Sequence, residues 1–181
     1  LPLEEIESAC SIMRNEHIVP VTGISLESSQ NNMAGRVLRM DYIKQVKKIA
    51  KKHKAKLHLD GARSWNASLF LGISMKEMVT DFDLISICLS KGMGCPMGSL
   101  VVGTEKDIVT ARNFRKMLGG AMRQTGIFAA CGLVALEDWQ EKLTQDNLNA
   151  AWMAQELSQI PGCLTDPTEV ETNILRFKAT P

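Results

Sequence analysis

The sequence has almost no excess of charge of either sign, since 21 Lys and Arg residues stand against 20 Asp and Glu residues. A surface with this balance provides no strong field for a nucleic-acid backbone or an anionic membrane, so we expect neither partner. No stretch approaches the roughly 20 apolar residues that a transmembrane helix requires, and the first residues lack the pattern of a signal peptide. These absences predict a soluble, cytoplasmic protein.

Cysteines are also few, and their arrangement excludes some chemistry. The five cysteines are scattered, odd in number and without a Cys-x-x-Cys pair, which argues against a zinc site or dithiol chemistry and favours a reducing compartment. We therefore expect no metal. The hydrophobic fraction of 45% allows a sizeable core and argues against disorder. Leu1 in place of methionine, in a segment typical of a helix start, indicates a fragment.

Hydrophobic periodicity predicts an α/β fold in which strands alternate with helices, and hence a mostly parallel sheet with helices on both faces. After residue 124 the pattern becomes almost entirely helical as far as residue 160, with a break expected near Thr144. We interpret residues 1–143 as part of a large domain and residues 144–181 as a connecting helix and the start of a smaller α+β domain. The predicted strands are residues 19–26, 56–59, 83–88, 99–102 and 173–177, and the predicted helices before residue 124 are 2–14, 40–50, 63–70 and 106–116.

Two polar residues follow predicted strands, at the positions where ligands gather in open α/β sheets. Asp60 ends one strand, and Lys91 lies just past another, 91 − 60 = 31 residues later, which is about one βαβ unit. A lysine amine can condense with an aldehyde, and a carboxylate can hold a proton on a ring nitrogen. The spacing alone leaves other interpretations open: Lys91-Gly92 as a surface turn, Asp60 as a helix cap, and His58 as a packing residue.

Three motifs together resemble the L-threonine aldolases, a family of pyridoxal-phosphate enzymes of fold type I. They are His58-Leu-Asp-Gly-Ala-Arg63, Leu89-Ser-Lys-Gly-Met-Gly-Cys-Pro-Met-Gly-Ser99 and Arg115-Lys-Met-Leu-Gly-Gly-Ala-Met-Arg-Gln124. Their order and intervals also agree with the family, and the resemblance covers nearly the whole chain.

The resemblance implies pyridoxal 5'-phosphate as the cofactor and assigns residues to it. Lys91 would form the Schiff base, Asp60 would pair with the pyridine nitrogen, and Arg63 would lie beside the phenolic oxygen. Arg123 would serve the phosphate near a subunit boundary, and the hydroxyl of Ser90 can also donate to an anion. The structural alternatives are a surface arginine on the following helix for Arg63 and a helix-start arginine paired with a carboxylate for Arg123.

The reaction implied is retro-aldol cleavage of a β-hydroxy amino acid, L-threonine or L-allo-threonine, to glycine and acetaldehyde in a homo-oligomer, either a dimer or a tetramer. Where the family has Glu-Asn-Thr-His, this chain has Glu27-Ser28-Ser29-Gln30. Gln30 thus stands where the family's histidine serves the substrate hydroxyl. An amide can form a hydrogen bond with that hydroxyl but cannot act as a base near neutral pH.

Two further interpretations remain. One is another lyase or an aminotransferase of the same fold group. The other is an inactive remnant, because the family's phosphate-binding loop and its arginine for the substrate carboxylate have no counterpart in the sequence.

Overall fold

The computed structural model describes residues 1–12 and 15–180. Strands and helices share the first half of the chain, and helices dominate the second half. The elements in chain order are α1 (Leu3–Ser11), β1 (Gly23–Glu27), α2 (Met40–Lys52), β2 (Lys56–Asp60), α3 (Ser64–Leu71), α4 (Met75–Val79), β3 (Leu84–Cys88), β4 (Ser99–Gly103), α5 (Glu105–Met117), α6 (Gly126–Ala135), α7 (Trp139–Leu157), β5 (Cys163–Leu164) and β6 (Lys178–Ala179).

The main sheet has four strands in the order β1-β2-β3-β4. β1, β2 and β3 are parallel, and β4 runs antiparallel to β3, which confirms the prediction of a mostly parallel sheet. Glu27 is the register partner of Asp60, and Asp60 is that of Ser86. The carboxyl ends of the three parallel strands therefore lie together at one edge of the sheet.

One face of the sheet is packed by α1 and α2. Alternation along β2 and β3 places Leu57, Leu59, Ile85 and Ile87 on this face, where all four are buried. They pack against buried residues of α2 at the helical spacing 43, 46 and 50. Each fully buried aliphatic side chain contributes about 1.5–3 kcal/mol, so this cluster fixes the position at which β2 ends.

The opposite face is contacted by α5. Gly103 of β4 pairs with Leu84, and both lie on the face away from Ile85. A Cβ on Gly103 would point to within 3.6 Å of the Cβ of Asp107 in α5. The mostly parallel sheet and its helices form an α/β domain, as the sequence predicts.

A second cluster anchors the segment between β3 and β4. Leu89, Met93 and Cys95 of this segment are buried against Ala135 of α6 and Leu143 of α7. Trp65 of α3 and Trp139 of α7 flank the cluster, with ring centroids 4.8 Å apart in an edge-on contact. The segment after β3 is thus held in place by its packing against α6 and α7.

The prediction of a helix break near Thr144 is wrong. The break lies at residues 136–138, and α7 runs without interruption through Thr144. Thr144 is exposed, so its side chain costs the helix only a few tenths of a kcal/mol. Asp138 precedes α7 and forms an ion pair with Lys142 one turn later. The division into domains 1–143 and 144–181 stays a prediction, and its limit falls inside α7.

The prediction of a strand over residues 173–177 is also wrong. Pairing begins only at Lys178, where β6 meets β5 in a separate two-stranded sheet. Just upstream, Glu171 and Thr172 are buried by side-chain contacts with the segment after β1. The backbone follows those contacts instead of a sheet ladder.

Other element limits differ by smaller amounts. β1 begins at Gly23 and not at residue 19, because the partner strand β2 begins at Lys56, opposite Gly23. Helix α4 was not predicted, although Ser74 caps it by accepting from the N–H of Glu77. The predicted end of the first helix at residue 14 lies outside the described residues. None of the helices in the described part of the chain is long and apolar enough to cross a membrane.

Candidate active site

Asp60 stands at the carboxyl end of β2 and is half-buried. Its Oδ1 accepts a hydrogen bond from the backbone N–H of Ala62 at 3.2 Å, while no described residue donates to Oδ2. Arg63, and not Asp60, occupies the position before α3, so the alternative of a helix cap for Asp60 does not hold. One carboxylate oxygen is therefore fixed, and the other remains available to a ligand.

Lys91 lies in the segment that connects β3 to β4. This segment is tied to itself by backbone bonds from Leu89 N–H to the carbonyl of Gly98 and from Cys95 N–H to the carbonyl of Leu89, both 3.0 Å long. Ser90 and Lys91 are exposed, in contrast to the buried Leu89. The structure thus presents a hydroxyl and an amine on an anchored loop at the carboxyl end of β3.

Gly92 allows this loop to approach the helices beneath it. A Cβ at this position would lie 2.6 Å from Cδ2 of Leu143 in α7 and 3.3 Å from Oδ1 of Asn66 in α3. The first distance is shorter than real Cβ contacts permit, so a larger residue would force the Leu143 side chain, the loop or α7 to move. The position of Lys91 therefore depends on glycine at the next residue.

Arg63 has one guanidinium nitrogen bonded and one without a partner. Nη2 donates to Oδ1 of Asn31 at 3.3 Å. Nη1 is buried, and it has no hydrogen-bond partner among the described residues. Because a buried donor without an acceptor costs about 1–3 kcal/mol, Nη1 is suited to a ligand oxygen. This observation argues against the alternative of an ordinary surface arginine.

Gln30 lies in a compact loop at the carboxyl end of β1. The loop is joined to β2 by a bond from Ser28 N–H to the carbonyl of Asp60, 3.2 Å long. It closes on itself, because Gln30 N–H donates to the carbonyl of Arg36 and Gly35 N–H donates to the carbonyl of Gln30, both at 2.9 Å. Gln30 is thus held at the same edge of the sheet as Asp60. Its side-chain amide forms no hydrogen bond with any described residue.

Arg123 is exposed in the stretch between α5 and α6, and no hydrogen bond or ion pair joins it to a described residue. No hydrogen bond therefore joins Arg123 to Asp60, Arg63 or Lys91. The alternative of a carboxylate partner is not supported by the described residues either. Met117 and Leu118, at the end of α5, are 77% and 84% exposed, so they form an uncovered apolar surface. A role for Arg123 near a subunit boundary stays a prediction.

His58 faces away from the buried side of β2, where its Nδ1 lies 2.8 Å from Oγ of Ser25. It is half-buried, packs within the sheet, and has a polar partner there. Among the described residues, no group of three or more His, Cys, Asp or Glu side chains could hold a metal ion.

Residues near the end of the described chain contact the Gln30 loop. The sequence does not predict these contacts. The carboxylate of Glu171, whose side chain is only 6% exposed, accepts from Nη2 of Arg39 and from Val37 N–H, both at 2.7 Å, and from Nη1 of Arg36 at 3.1 Å. The bond to Glu171, with a contribution from Glu169, raises the pKa of the Arg36 guanidinium above its usual value. No local pattern could have revealed these pairs, because more than 130 residues separate the partners.

The edge of the sheet thus combines an amine, a carboxylate with one free oxygen, a guanidinium with an unpartnered N–H, a hydroxyl and an amide. A planar ligand that carries an aldehyde, a basic ring nitrogen and an oxyanion could be held by these groups together. The groups come from three consecutive strand ends, so the parallel register brings them to one place.

Comparison with known proteins gives an independent result. The profile of the family described as "Beta-eliminating lyase" matches residues 1–180. A relative from Arabidopsis thaliana, named "Probable low-specificity L-threonine aldolase 2", is 46% identical over 94% of this chain and 48% of its own length. The "Low specificity L-threonine aldolase" of Escherichia coli K12 is 40% identical over 97% of this chain and 50% of its own length. The chain therefore spans about half the length of these curated relatives.

Solved structures share the fold. A crystal structure described as a putative L-allo-threonine aldolase from Listeria monocytogenes superimposes with a TM-score of 0.82 over 96% of this chain and 46% of that one, at 22% identity. A PLP-dependent aminotransferase from Streptococcus suis superimposes with a TM-score of 0.68 over 96% of this chain and 44% of that one, at 16% identity. At these identities the likeness concerns the fold alone.

Proposed function

Because the chain belongs to the β-eliminating lyase family, we propose that it is the cofactor-binding part of a pyridoxal-phosphate-dependent aldehyde-lyase. The substrate class is β-hydroxy amino acids, and the reaction is cleavage of L-threonine or L-allo-threonine to glycine and acetaldehyde. The observation that carries the proposal is that Asp60 and Arg63 follow β2 while the Lys91 loop follows the adjacent parallel strand β3, at the same edge of the sheet. The names of the curated relatives support the choice of substrate.

The residues present fit pyridoxal phosphate at three points. Lys91 supplies an exposed amine for the aldehyde, and the free Oδ2 of Asp60 suits the ring nitrogen. The buried Nη1 of Arg63 lacks an acceptor that the phenolic oxygen would provide. Ser90 would donate its hydroxyl to the phosphate, and Arg123 would act there from a subunit boundary. When bound, the cofactor supplies an electron sink for the bond that breaks.

Each of these residues has a distinct task in the proposed reaction. Asp60 would keep a proton on the ring nitrogen of the cofactor, and the bond from Ala62 N–H to Oδ1 holds the carboxylate in place. Lys91 would hold the cofactor through its amine and would carry a proton to Cα of the substrate. Gln30 can orient the substrate hydroxyl through its side-chain amide but cannot accept its proton, so that proton would leave to another acceptor, such as water.

A second candidate is another reaction on the same scaffold, since the aminotransferase from Streptococcus suis shares the fold. The product separates the two: an aldehyde-lyase forms acetaldehyde and glycine from threonine without an amino acceptor, whereas an aminotransferase requires a 2-oxo acid. A third candidate is an inactive remnant, which would give no absorbance of bound cofactor on titration.

The deciding experiment measures glycine and acetaldehyde formed from L-threonine by the protein loaded with pyridoxal phosphate, with Lys91→Ala as the inactive control. Equal amounts of both products, lost in the variant, are expected. Formation of a 2-oxo acid from threonine, or equal rates in the two proteins, would overturn the proposal. We also propose that the active form is a cytoplasmic dimer or tetramer, which the exposed Met117 and Leu118 support because uncovered apolar surface favours association. Sedimentation at varied protein concentration tests the oligomeric state.

A further inference from the structure

Asn31 is the point at which three separate parts of the chain meet. Its backbone N–H donates to Oε1 of Glu27 at 3.1 Å, which ties it to the end of β1. Its carbonyl accepts from Nη2 of Arg176 at 3.0 Å, and its side-chain Oδ1 accepts from Nη2 of Arg63 at 3.3 Å. The carbonyl also accepts from the N–H of Ala34 at 3.3 Å, so the backbone of Asn31 is fixed by three partners. The side chain of Asn31 bonds to Arg63 alone.

The bond to Asn31 determines where the second nitrogen of Arg63 points. A guanidinium is planar and its five donors keep a fixed geometry, so an acceptor at Nη2 also sets the direction of Nη1. Nη1 is the buried nitrogen without a partner. Without the Asn31 acceptor, the long side chain would be free to rotate, and Nη1 would no longer be held in its buried position.

The chemical type of residue 31 also matters. The ion pairs of the described residues around this loop involve Arg36 and Arg39, but neither Arg63 nor Arg176. An amide oxygen accepts from Arg63 without neutralising its charge, so the full positive charge remains available to a ligand oxyanion. A carboxylate at position 31 would hold the guanidinium equally well but would compete with the ligand for its charge.

We propose that Asn31 is a positioning residue that orients Arg63 toward the cofactor, and that Arg176 holds Asn31 in place from the C-terminal part of the chain. The proposal rests on the proposed function for the identity of the ligand oxygen. The orientation of Arg63 itself does not depend on that identity, so it can be tested with and without cofactor.

The first measurement needs no cofactor. Side-chain ¹⁵N relaxation of Arg63 Nε reports whether the guanidinium is held, with the exposed Arg112 as an internal reference for a mobile arginine. Asn31→Ala removes only the Oδ1 acceptor, because the bonds to Glu27 and Arg176 use backbone atoms. We expect the order parameter of Arg63 to fall toward that of Arg112 in Asn31→Ala and to recover in Asn31→Asp. Asn32→Ala, at an exposed neighbour, is the matched control.

The second measurement uses the protein loaded with pyridoxal phosphate and follows its visible absorbance as a function of pH. A cation beside the phenolic oxygen favours the anionic form of the chromophore, so a displaced Arg63 shifts the transition to higher pH. We expect this shift in Asn31→Ala, together with a threefold to tenfold loss of cofactor affinity, the approximate range for one hydrogen bond. Asn31→Asp should keep Arg63 ordered and still show the pH shift, because its charge competes with the ligand.

Arg176→Ala tests the second part of the proposal, with Lys178→Ala as the control for loss of a nearby exposed cation. Removal of Arg176 should reduce the order of Arg63 as Asn31→Ala does, whereas Lys178→Ala should leave it unchanged. An Arg63 order parameter that stays at the parent value in Asn31→Ala would overturn the positioning role, whatever the cofactor data show. Failure of the parent protein to bind pyridoxal phosphate would instead reject the proposed function, and the cofactor-free measurement would still decide the role of Asn31.

Discussion

Gly92 lies against Leu143 so closely that a methyl group added to the glycine would come within 2.6 Å of the leucine Cδ2. We expect Gly92→Ala to destabilise the fold by about 1–3 kcal/mol, the range for overpacking, and to weaken cofactor binding because Lys91 is the preceding residue. Gly126→Ala, with open space around its Cβ position, is the control and should have little effect. Thermal unfolding and cofactor titration provide the two measurements. Equal behaviour of the two variants would contradict the packing argument.

Lys91 should be the residue that binds the cofactor covalently. Borohydride reduction of the loaded protein, followed by peptide mapping, is expected to place the label on Lys91, and Lys91→Ala should abolish it. Lys106→Ala, at an exposed position of α5, should label as the parent does. A label on any other lysine would mean that the assignment from the β3 end is wrong.

Asp60→Asn separates a ligand-binding role from a structural one. The amide oxygen of asparagine can still accept from Ala62 N–H, so the free energy of unfolding should change by less than about 1 kcal/mol. Activity should fall on the order of 10²-fold, comparable to the loss of one preorganised electrostatic partner. Unfolding in denaturant and the rate of glycine formation measure the two effects. Unchanged activity would show that Asp60 has only a local structural role.

Gln30→His should raise the rate of threonine cleavage. An imidazole can accept the hydroxyl proton, and a well-placed general base contributes about 10²–10⁴-fold, so we expect at least a tenfold gain. Gln30→Asn keeps an amide and serves as the control, and cofactor affinity should be the same in all three proteins. If the rate does not increase, the proton leaves by a route that does not involve this position.

Asp83 predicts a pH dependence of stability. Burial raises the pKa of its carboxyl group. The hydrogen bonds from Leu57 N–H and Lys47, together with the charges of Lys47 and Lys56, lower this pKa by more than burial raises it, so the net pKa lies below the usual value. A lowered folded-state pKa stabilises the fold above the unfolded value of about 3.9, and this contribution is lost as pH falls through the folded-state pKa.

Asp83→Asn should therefore be less stable than the parent at neutral pH and should lose less stability between about pH 5 and pH 2. Unfolding at several pH values measures the difference. Asp81→Asn, two residues away and in no ion pair with a described residue, is the control. Parallel pH curves for parent and Asp83→Asn would contradict the assignment.

The parts of the fold that the sequence predicts well are those set by local patterns. The alternation in β2 and β3 is short-range information, and the positions of Asp60 and Lys91 at strand ends follow from it. The helix break could not be located in the same way, because Thr144 and Asp138 differ in their surroundings more than in their intrinsic preference for a helix. The prediction of a strand over residues 173–177 was wrong for a related reason, because the tertiary contacts of Glu171 outweigh local β propensity.

The candidate site shows the same division. Lys91, Asp60, Arg63 and Gln30 follow strand ends or known motifs and could be named from the sequence. The partner of Arg63 could not, because Asn31 is one of two adjacent asparagines and only the folded loop distinguishes them. The unpartnered Nη1 of Arg63 is likewise a property of packing, which no residue pattern encodes.

The contacts of Glu171 and Arg176 with the Gln30 loop have a consequence for the order in which the protein is synthesised. The loop is translated before its partners Glu171 and Arg176, which lie 132 to 145 residues later. Closing contacts over such distances carries an entropic cost and slows folding. A nascent chain that has completed β1, β2 and β3 therefore still lacks the side chains that fix one wall of its site. A site with this wall in place therefore requires that Glu171 and Arg176 have left the ribosome.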